Sequence, residues 1–338
     1  MLEPNYFKIV IGGSMRVQKP INSGFNASST ASDVLKGIDI KGKTALITGG
    51  HSGLGYEATK ALSEAGAHVI VGARDMGSAS DALSELTNIT ILPLDLSDIS
   101  SVRTFAAYVH ANRYVFDYVI CNAGIMASPE KRVGPGWESQ FATNHIGHYV
   151  LVNLIWDNIR SGGRVVCVSS AGHHNSPIRW DDIQFIRGYD KWVAYAQSKT
   201  ANILFAFQLD NYGKNRNIRA FSLHPGKIFT PLQRHLSYEE MANEGWMDKD
   251  GNPIDPTFKS PAQGAATEVW AATSPALNGL GGLYCEDCDI IGLASDYKEP
   301  FIGVCEYAID PPEALRLWNF TANLTGVNAF AAKQLTHK

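Results

Sequence analysis

A short apolar run that ends in closely spaced glycines constrains the fold of this chain more than any other feature. The run at residues 43–48 leads into Gly49, Gly53 and Gly55, and helix-forming residues 56–65 follow. An apolar run of this kind is typical of a buried parallel strand. Strand, glycine turn and helix, in this order, form the context of a dinucleotide site, because glycines let the backbone approach a pyrophosphate at the positive end of the helix. The alternative is a glycine-rich loop that only joins a strand to a helix.

A tyrosine and a lysine one helical turn apart, Tyr195 and Lys199, are the second constraint. On a helix these two positions share one face, so the phenol and the ammonium group converge. A phenol titrates at about pH 10, and a fixed cation beside it favours the phenolate and lowers its pKa. We therefore expect Lys199 to lower the pKa of Tyr195, which could then exchange protons with a carbonyl or alcohol oxygen. Taken alone, this spacing is also common on solvated helix faces.

Together, the glycine spacing and the Tyr195–Lys199 pair resemble the short-chain dehydrogenase/reductase family. Further matches follow in the family's order along the chain, namely Asp95 and Leu96 after the third strand-like run, residues 121–124 (Cys-Asn-Ala-Gly) after the fourth, Asn144, Ser170 after the fifth (residues 164–168), and Pro225, Gly226 and Thr230. The resemblance covers about residues 38–325. Cys121 departs from the family's usual first Asn, whereas Asn122 and Gly124 are kept.

The resemblance implies an α/β fold, a Rossmann doubly wound parallel sheet with helices on both faces, in a single domain. Strand-like and helical segments alternate from about residue 41 to residue 285 without a Pro-, Ser- or Gly-rich linker, which agrees with one domain. We place this domain at residues 38–325, an N-terminal arm at 1–37 and a C-terminal tail at 326–338. Within the arm, Thr30 and Asp33 have the spacing of a capping box and predict a short helix.

By the same resemblance, the glycine turn, the ends of the later strands and the catalytic helix bind a nicotinamide dinucleotide. The cofactor-binding residues that it implies are Gly49, His51, Ser52, Gly53, Leu54, Gly55, Arg74, Asp95, Leu96, Asn122, Ala123, Gly124, Tyr195, Lys199, Pro225, Gly226, Ile228 and Thr230.

The end of the second strand-like run, residues 67–71, selects between the two nicotinamide cofactors. Where NAD is preferred, an acidic residue there binds the ribose 2′-hydroxyl, whereas a nearby arginine accommodates a 2′-phosphate. This chain has Ala73 in the position of the family's acid and Arg74 next to it. Because a guanidinium group can fork onto phosphate oxygens, the sequence favours NADP (NADPH) over NAD. Asp75 could oppose this preference by pairing with Arg74.

The resemblance assigns four residues to catalysis. Tyr195 gives a proton to a carbonyl oxygen, or takes one from an alcohol, while the nicotinamide carries the hydride. Lys199 lowers the pKa of Tyr195 and binds the nicotinamide ribose. Ser170 holds the substrate oxygen and stabilises developing charge, and Asn144 fixes a water that links Lys199 to solvent. Taken singly, Ser170, Asn144 and Lys199 could be a strand-end hydroxyl, a turn former and a surface lysine.

The segment between Ser170 and Tyr195 indicates the subgroup. It includes His173 and His174, and it resembles the insert of the retinol-dehydrogenase and WW-domain-oxidoreductase branch, as do residues 258–267. The two histidines could touch substrate, although loop histidines are usually polar surface. This chain has neither WW domains nor a membrane helix, so retinoid activity is not carried over, and a lipophilic or aromatic carbonyl or alcohol is expected.

Residues 227–259, here called the lid, carry apolar side chains that could line a substrate pocket or could only pack the lid down. Two alternatives to a carbonyl/alcohol oxidoreductase remain open. One is a C=C reductase, because protochlorophyllide reductase shares the general pattern. The other is a non-catalytic nucleotide-binding sensor, which is disfavoured because such relatives typically lose the tyrosine and the lysine that this chain keeps.

Composition excludes other classes of partner. The net charge of −4 and the lack of a basic stripe argue against nucleic acid, and no apolar run approaches the about 18 residues of a membrane span. The apolar run at residues 7–13 is too short for a signal-peptide core, and the five cysteines are scattered, so we expect a cytoplasmic protein. Cys285 and Cys288 have zinc-like spacing without a second ligand pair nearby, so no metal site is predicted. The expected partner is a small-molecule substrate.

Two helical segments, residues 140–159 and the one that carries Tyr195, have more apolar residues than one core-facing stripe needs. In similar family members these helices pair with their copies across a two-fold axis, and two-fold dimers are the commonest oligomers. We therefore predict a homodimer or a larger oligomer. Cover by the lid or by the arm at residues 22–35 is the alternative.

Overall fold

Strands and helices alternate along most of the chain, as the spacing of its apolar runs predicts. The computed structural model describes residues 8–11, 14–248 and 250–331. Its strands are, in chain order, β1 (Lys8–Ile11), β2 (Ser14–Val17), β3 (Thr44–Thr48), β4 (His68–Ala73), β5 (Ile89–Pro93), β6 (Phe116–Cys121), β7 (Arg132–Val133), β8 (Trp137–Glu138), β9 (Ile159–Val168), β10 (Arg219–His224), β11 (Lys227–Ile228), β12 (Phe258–Lys259), β13 (Leu283–Glu286) and β14 (Asp289–Ile290). Its α-helices are α1 (Ala31–Leu35), α2 (Gly53–Glu64), α3 (Met76–Leu83), α4 (Ile99–Ala111), α5 (Ser139–Phe141), α6 (Gly147–Leu154), α7 (Lys191–Gly213), α8 (Tyr238–Asn243), α9 (Pro261–Gly264), α10 (Ala266–Thr273) and α11 (Pro311–Thr325).

An eight-stranded sheet forms the centre of the fold, in the order β14-β13-β10-β9-β6-β3-β4-β5. Neighbouring strands run parallel except for β13 and β14. Strands that are buried on both faces are apolar along their length, and Leu46 of β3 accordingly lies fully buried between Ile70 of β4 and Val119 of β6. The chain winds outward in one direction from β3 to β5 and in the other from β6 to β10. The predicted Rossmann fold, with a doubly wound parallel sheet in a single domain, is confirmed.

Helices cover both faces of the sheet. On one face α4, α6, α7 and α11 pack into a core that includes Phe105, Tyr149, Leu204 and Trp318. On the other face α1, α2, α3 and α10 pack around a second core. The strand order reverses between β3 and β6, and α/β folds bind ligands in the crevice at the carboxyl ends of such strands. Among the described helices, none combines the length and the hydropathy that crossing a bilayer requires.

The helix predicted at residues 140–159 is shorter than expected and is not regular. It contains one π-helical turn, Ala142–Ile146, and its α-helical part ends at Leu154. Trp156–Asn158 then form a 3-10 turn, and β9 begins at Ile159, earlier than predicted. The apolar pattern continues through this connection because its side chains are buried in the turn and the strand as well. Apolar spacing alone therefore could not locate the boundary.

Side-chain hydrogen bonds tie the N-terminal arm to the edge of the sheet. The amide of Gln18 is buried and donates to the backbone oxygens of Tyr284 and Ile291, at 2.7 and 2.6 Å. The short helix predicted in the arm is present as α1, and Thr30 and Asp33 form the reciprocal hydrogen bonds of a capping box. The division of the chain into arm, domain and tail stays a prediction, and residues 1–7 of the arm and 332–338 of the tail lie outside the described residues.

The C-terminal helix α11 covers the second apolar side of α6 and α7. Trp318 packs edge-on against Tyr149 with 4.9 Å between ring centroids and stacks on Phe205 at 5.7 Å. Beyond the helix, Phe330 stacks on Tyr212 at 4.5 Å. The apolar excess that predicts an oligomer is thus covered by this chain's own helix. A homodimer or larger oligomer stays a prediction without that support.

Candidate active site

A cavity of 1430 Å³ opens at the carboxyl ends of the central strands, where the strand order reverses. Its walls include the glycine turn after β3, Arg74 after β4, the segment that follows β6, Ser170 after β9 and the segment that follows β10. The predicted site residues all line this cavity except Gly55 and Asn144. The fold therefore brings together side chains from distant parts of the chain at one edge of the sheet.

The glycine turn has a geometry that fits a pyrophosphate. Gly49 and Gly53 have φ angles of +67° and +53°, in the left-handed region that favours glycine. The N-cap of α2, Ser52, makes no side-chain capping hydrogen bond, so the first N–H groups of α2 have no side-chain cap. Gly55 lies behind the turn, and a Cβ there would lie 2.4 Å from the Gly49 carbonyl oxygen. Gly55 thus permits α2 to pack closely against the turn, and its predicted contact with the cofactor stays a prediction.

A buried chain of hydrogen bonds connects the strand before the glycine turn to the predicted catalytic Asn144. The Thr48 hydroxyl accepts from the N–H groups of Asn122 and Ala123, both at 3.0 Å, and lies 2.8 Å from Nε2 of His148. Because two donors already face this oxygen, its own proton goes to Nε2, and Nδ1 of His148 donates to the Asn144 carbonyl at 2.9 Å. Burial lowers the pKa of His148 to about 4, which keeps the ring neutral.

Asn144 lies in the π-helical turn, a rare conformation that is frequent at functional sites. Its Oδ1 accepts from the N–H of Ile125 at 2.8 Å, and its Nδ2 donates to the Ile125 carbonyl and to the Ser198 hydroxyl, both at 2.9 Å. Asn144 is fully buried and does not line the cavity. Its side chain therefore fixes the segment after β6 to the helix α7. The predicted role in holding a water stays a prediction.

Three of the side chains predicted to be catalytic, those of Ser170, Tyr195 and Lys199, line the same cavity. Tyr195 and Lys199, on α7, are 5% and 3% exposed. The Lys199 ammonium donates to the Val168 carbonyl at 3.1 Å and lies 5.5 Å from the centroid of the Tyr195 ring. Ser170, at the end of β9, lies beside Tyr195, since a Cβ on Gly172 would lie 3.3 Å from the Ser170 hydroxyl oxygen and 3.1 Å from the Tyr195 ring. The side chains of Tyr195 and Lys199 on α7 and of Ser170 after β9 thus lie close together, as the sequence predicts.

The pKa of Tyr195 is not lowered in this structure, contrary to the prediction. Burial raises the pKa of Tyr195 to about 12, and the hydrogen bond with Ser170 acts in the opposite direction. Burial also lowers the pKa of Lys199 to about 8. The Lys199 ammonium is hydrogen-bonded to the Val168 carbonyl, and desolvation of the phenol has the largest effect on the pKa of Tyr195.

His173 supports the Ser170 turn, a role that sequence reasoning missed. The ring is fully buried rather than polar surface. Its Nδ1 donates to the Ser170 carbonyl at 2.7 Å, and its Nε2 accepts from the Cys305 N–H at 3.2 Å. Burial lowers the pKa of His173 to about 3, so the ring is neutral. His174 lies beside it and hydrogen-bonds to the Gly303 carbonyl at 2.9 Å. A histidine three positions after a strand-end serine is the signal that could have indicated this support.

Asp75 does not pair with Arg74. Its carboxylate caps α3 by accepting from the Ser78 N–H at 3.0 Å. Arg74 lies at the edge of the cavity with its side chain exposed. Because the Asp75 carboxylate is engaged in this cap, it does not oppose the binding of a phosphate by Arg74.

The end of the cavity beyond Tyr195 is apolar. Side chains from four parts of the chain line it, namely Met126, Trp192, Leu232, Trp246, Phe258 and Phe301. Leu236 and Met241 of the lid pack with Met126 and Tyr195, and Phe229 stacks on Phe258 at 4.1 Å between centroids. The apolar side chains of the lid therefore have both of the roles that its sequence left open, because they line the cavity and they pack the lid down.

Two polar side chains that the sequence did not single out, the half-buried His224 and the buried Glu286, also line the cavity. They lie side by side at the ends of β10 and β13. Among the described residues, His224 Nδ1 and Glu286 Oε1 have no hydrogen-bond partner. Burial raises the pKa of Glu286 to about 8 and lowers the pKa of His224 to about 3, so both are neutral at pH 7.

The described residues contain one group of close potential metal ligands, His173, His174 and Cys305, whose ligand atoms lie within 4.8 Å of one another. Both ring nitrogens of His173 already take part in hydrogen bonds, so this ring has no free lone pair for an ion. Cys285 and Cys288, which have zinc-like spacing, are buried free thiols outside this group.

Known proteins resemble this chain over most of its length. Residues 43–241, more than half of the chain, match the model of the family described as short chain dehydrogenase. A Streptomyces antibioticus protein named "Probable oxidoreductase" is 42% identical over 295 residues, which cover 84% of this chain and 97% of that protein. Retinol dehydrogenase 11 of Mus musculus is 29% identical over 320 residues, covering 92% of this chain and 93% of that protein.

Among solved structures, an uncharacterized protein from Mycobacterium Paratuberculosis has a TM-score of 0.68 and 30% sequence identity, covering 89% of this chain and 98% of that chain. The family resemblance that the motifs indicated is thus confirmed at the level of sequence and of fold. This protein belongs to the short chain dehydrogenase family.

Proposed function

We propose that this protein is an NADP(H)-dependent oxidoreductase that interconverts a carbonyl and an alcohol on a lipophilic or aromatic small molecule. The observation that carries the proposal is that Tyr195 and Lys199, both buried, and Ser170 line a cavity that the glycine turn also lines. The opposite end of this cavity is apolar, which suits a hydrophobic substrate. The name of the mouse relative, a retinol dehydrogenase, agrees with this reaction class.

The fit of the cofactor rests on residues at the carboxyl edge of the sheet. The uncapped N-terminus of α2 and the glycine turn at residues 49–53 suit a pyrophosphate. Arg74 suits a 2′-phosphate because no acidic side chain occupies its position or pairs with it. Lys199 would bind the nicotinamide ribose hydroxyls. When bound, NADP(H) supplies or accepts the hydride at the substrate carbon.

The protein's own part in the reaction is to orient the substrate oxygen and to move one proton. In the reducing direction, the Tyr195 hydroxyl donates its proton to the carbonyl oxygen, which becomes the alcohol. Ser170 donates a hydrogen bond to the same oxygen and stabilises its developing negative charge. The Lys199 ammonium stabilises the phenolate that remains on Tyr195. In the oxidising direction the phenolate takes the alcohol proton.

Cofactor choice is tested by titrating NADPH and NADH into the parent and into Arg74→Ala. We expect tighter binding of NADPH by the parent and a selective loss in the variant of about tenfold or more, because a charge-assisted fork to phosphate is removed. Arg103→Ala, an exposed arginine on α4, is the matched control and should change neither affinity. Equal affinities in the parent, or equal losses in Arg74→Ala, would contradict NADP preference.

Substrate class is tested by a panel of ketones, aldehydes and secondary alcohols, with NADPH absorbance as the readout. We expect turnover to favour aromatic and lipophilic members because of the apolar end of the cavity. Reduction of a C=C bond with the carbonyl left intact would identify a C=C reductase instead. Cofactor binding without turnover of any member would indicate a nucleotide sensor.

We also propose a cytoplasmic location. The support is that Cys121, Cys167, Cys285, Cys288 and Cys305 are all free thiols, which suits a reducing compartment. Fractionation of cells that express the tagged chain tests this, and recovery with an organelle fraction would contradict it.

A further inference from the structure

Two arginines from different parts of the chain share the edge of the cavity. Arg74 follows β4, and Arg234 comes from the lid, after the 3-10 turn Pro231–Gln233. Both side chains line the same cavity, and burial, with the charge of Arg74, lowers the pKa of Arg234. Neither side chain forms an ion pair with a carboxylate among the described residues. Two like charges that approach each other without a counter-charge repel, and an anion between them removes the repulsion.

Local structure holds Arg234 at this place. Thr230 opens the turn, and the amide of Gln233 bonds back to both Thr230 and Ile228, accepting from the Thr230 N–H at 2.9 Å and donating to the Ile228 carbonyl at 2.7 Å. Arg234 itself donates to the Pro231 carbonyl at 3.0 Å. This turn rests directly on the glycine turn, since a Cβ on Gly53 would lie 3.2 Å from Cβ of Thr230. The lid arginine is thereby tethered to the predicted phosphate cradle.

The acidic group nearest in sequence to Arg74 is engaged elsewhere. The Asp75 carboxylate caps α3 through the Ser78 N–H, and it also acts on His51, whose pKa it raises while burial lowers it. Asp75 therefore does not stand between the two guanidinium groups. The site therefore presents two guanidinium groups, and no carboxylate among the described residues forms an ion pair with either of them.

We propose that Arg234 is a second arginine for the 2′-phosphate of NADP(H), which it holds from the lid side while Arg74 holds it from the end of β4. The proposal rests on the proposed NADP preference and extends it to a residue outside the dinucleotide fold. A phosphate dianion offers three oxygens, so two guanidinium groups can bind it at the same time, each as a fork. NADH lacks this phosphate and gives Arg234 no ligand.

The test is a titration of NADPH and NADH, and of adenosine 2′,5′-bisphosphate and 5′-AMP, into the parent and Arg234→Ala. We expect Arg234→Ala to weaken both 2′-phosphorylated ligands by about tenfold or more and to leave the other two within about twofold. His235→Ala, the adjacent exposed lid residue that does not line the cavity, is the matched control and should leave all four unchanged. Equal weakening of NADPH and NADH would assign Arg234 to the pyrophosphate or to lid structure and overturn the proposal, as would no weakening.

A double-mutant cycle separates this inference from the proposed function. If both arginines hold one phosphate, the losses in Arg74→Ala and Arg234→Ala are coupled, and the double variant loses a different amount of NADPH affinity than the sum of the two. A selective loss in Arg74→Ala with none in Arg234→Ala overturns the inference and leaves NADP preference standing. A parent that binds NADPH and NADH equally overturns both.

Discussion

Burial shifts the pKa values of Tyr195 and Lys199, the two side chains on α7 that we propose to be catalytic, in opposite directions. The pKa of Tyr195 rises to about 12, and the pKa of Lys199 falls to about 8. The phenol therefore stays protonated at physiological pH and is able to donate its proton to a carbonyl. The lysine is the group that titrates first as pH rises. Carbonyl reduction should accordingly depend on the charge of Lys199 before it depends on Tyr195.

We expect kcat/KM for carbonyl reduction to fall as pH rises through about 8 in the parent. The pKa of Lys199 lies below its ordinary value, so the ammonium is complete only below pH 8 and is lost above it. The pH profile of kcat/KM reports groups in the free enzyme. Lys199→Arg keeps its charge to about pH 12, so the variant should lose this decline even if its rate is lower. A parent profile that stays level to about pH 10 would contradict the assignment of this titration to Lys199.

The residues that the sequence placed in the site follow from spacing and strand ends. Tyr195 and Lys199 converge because positions four apart on a helix share a face, and Ser170 joins them because parallel strands end at one edge. The support that His173 gives was missed because one of its two partners, Cys305, lies far away in the sequence. The predicted direction of the Tyr195 pKa shift was wrong. The spacing of Tyr195 and Lys199 indicates that a cation is near the phenol, but it does not indicate that the phenol is desolvated, and Tyr195 is only 5% exposed.

Among the secondary-structure elements, α11 contributes most to covering the helices beside the active site. Trp318 is 1% exposed and contacts the rings of Tyr149, Phe205, Tyr212 and Phe330. Local signals mark both ends of α11, since Asp310 caps it and Gly326 ends it in the left-handed conformation. The π-helical turn before α6 has no comparable sequence signal, because it depends on the tertiary contacts of Asn144. Helix ends are therefore easier to predict here than helix irregularity.

Trp318→Ala should lower the free energy of unfolding by about 3–5 kcal/mol, because it leaves a large cavity among packed rings. Leu315→Ala, on the exposed side of the same helix, is the matched control and should stay within about 0.5 kcal/mol of the parent. Urea unfolding of the three proteins measures both changes. A loss below about 1 kcal/mol in Trp318→Ala would contradict the packing of α11 on α6 and α7. A mass measurement in solution decides whether the covered face leaves the chain monomeric.

For the whole molecule, buried carboxyl groups with a raised pKa, among them Glu268 and Glu286, link stability to pH. Glu268 on α10 is fully buried, and both of its oxygens are without a hydrogen-bond partner among the described residues. Burial raises the pKa of Glu268 to about 8 from the ordinary value of 4.5. The folded protein therefore keeps a proton that the unfolded chain releases. In that pH range the folded state binds more protons, so the free energy of unfolding falls as pH rises.

We expect the parent to be less stable at about pH 8.5 than at about pH 5 by on the order of 3 kcal/mol from this group. Glu268→Gln cannot ionise and should remove most of this difference, so that it exceeds the parent in stability at the higher pH. Glu85→Gln, at an exposed position on the same protein, is the control and should keep the parental dependence. Parallel pH dependence in the parent and in Glu268→Gln, followed by urea unfolding, would show that Glu268 is not the group responsible.

The Tyr195→Phe variant tests whether Tyr195 carries the proton in an NADPH-dependent carbonyl reduction. Phenylalanine keeps the ring that packs with Met126 and Leu236 and removes only the hydroxyl. With the best carbonyl from the panel, followed by NADPH absorbance, turnover should fall by at least about a hundredfold. NADPH affinity should stay within about twofold, since the hydroxyl contributes to chemistry rather than to cofactor binding. A Tyr195→Phe enzyme with near-parental turnover would contradict the mechanism.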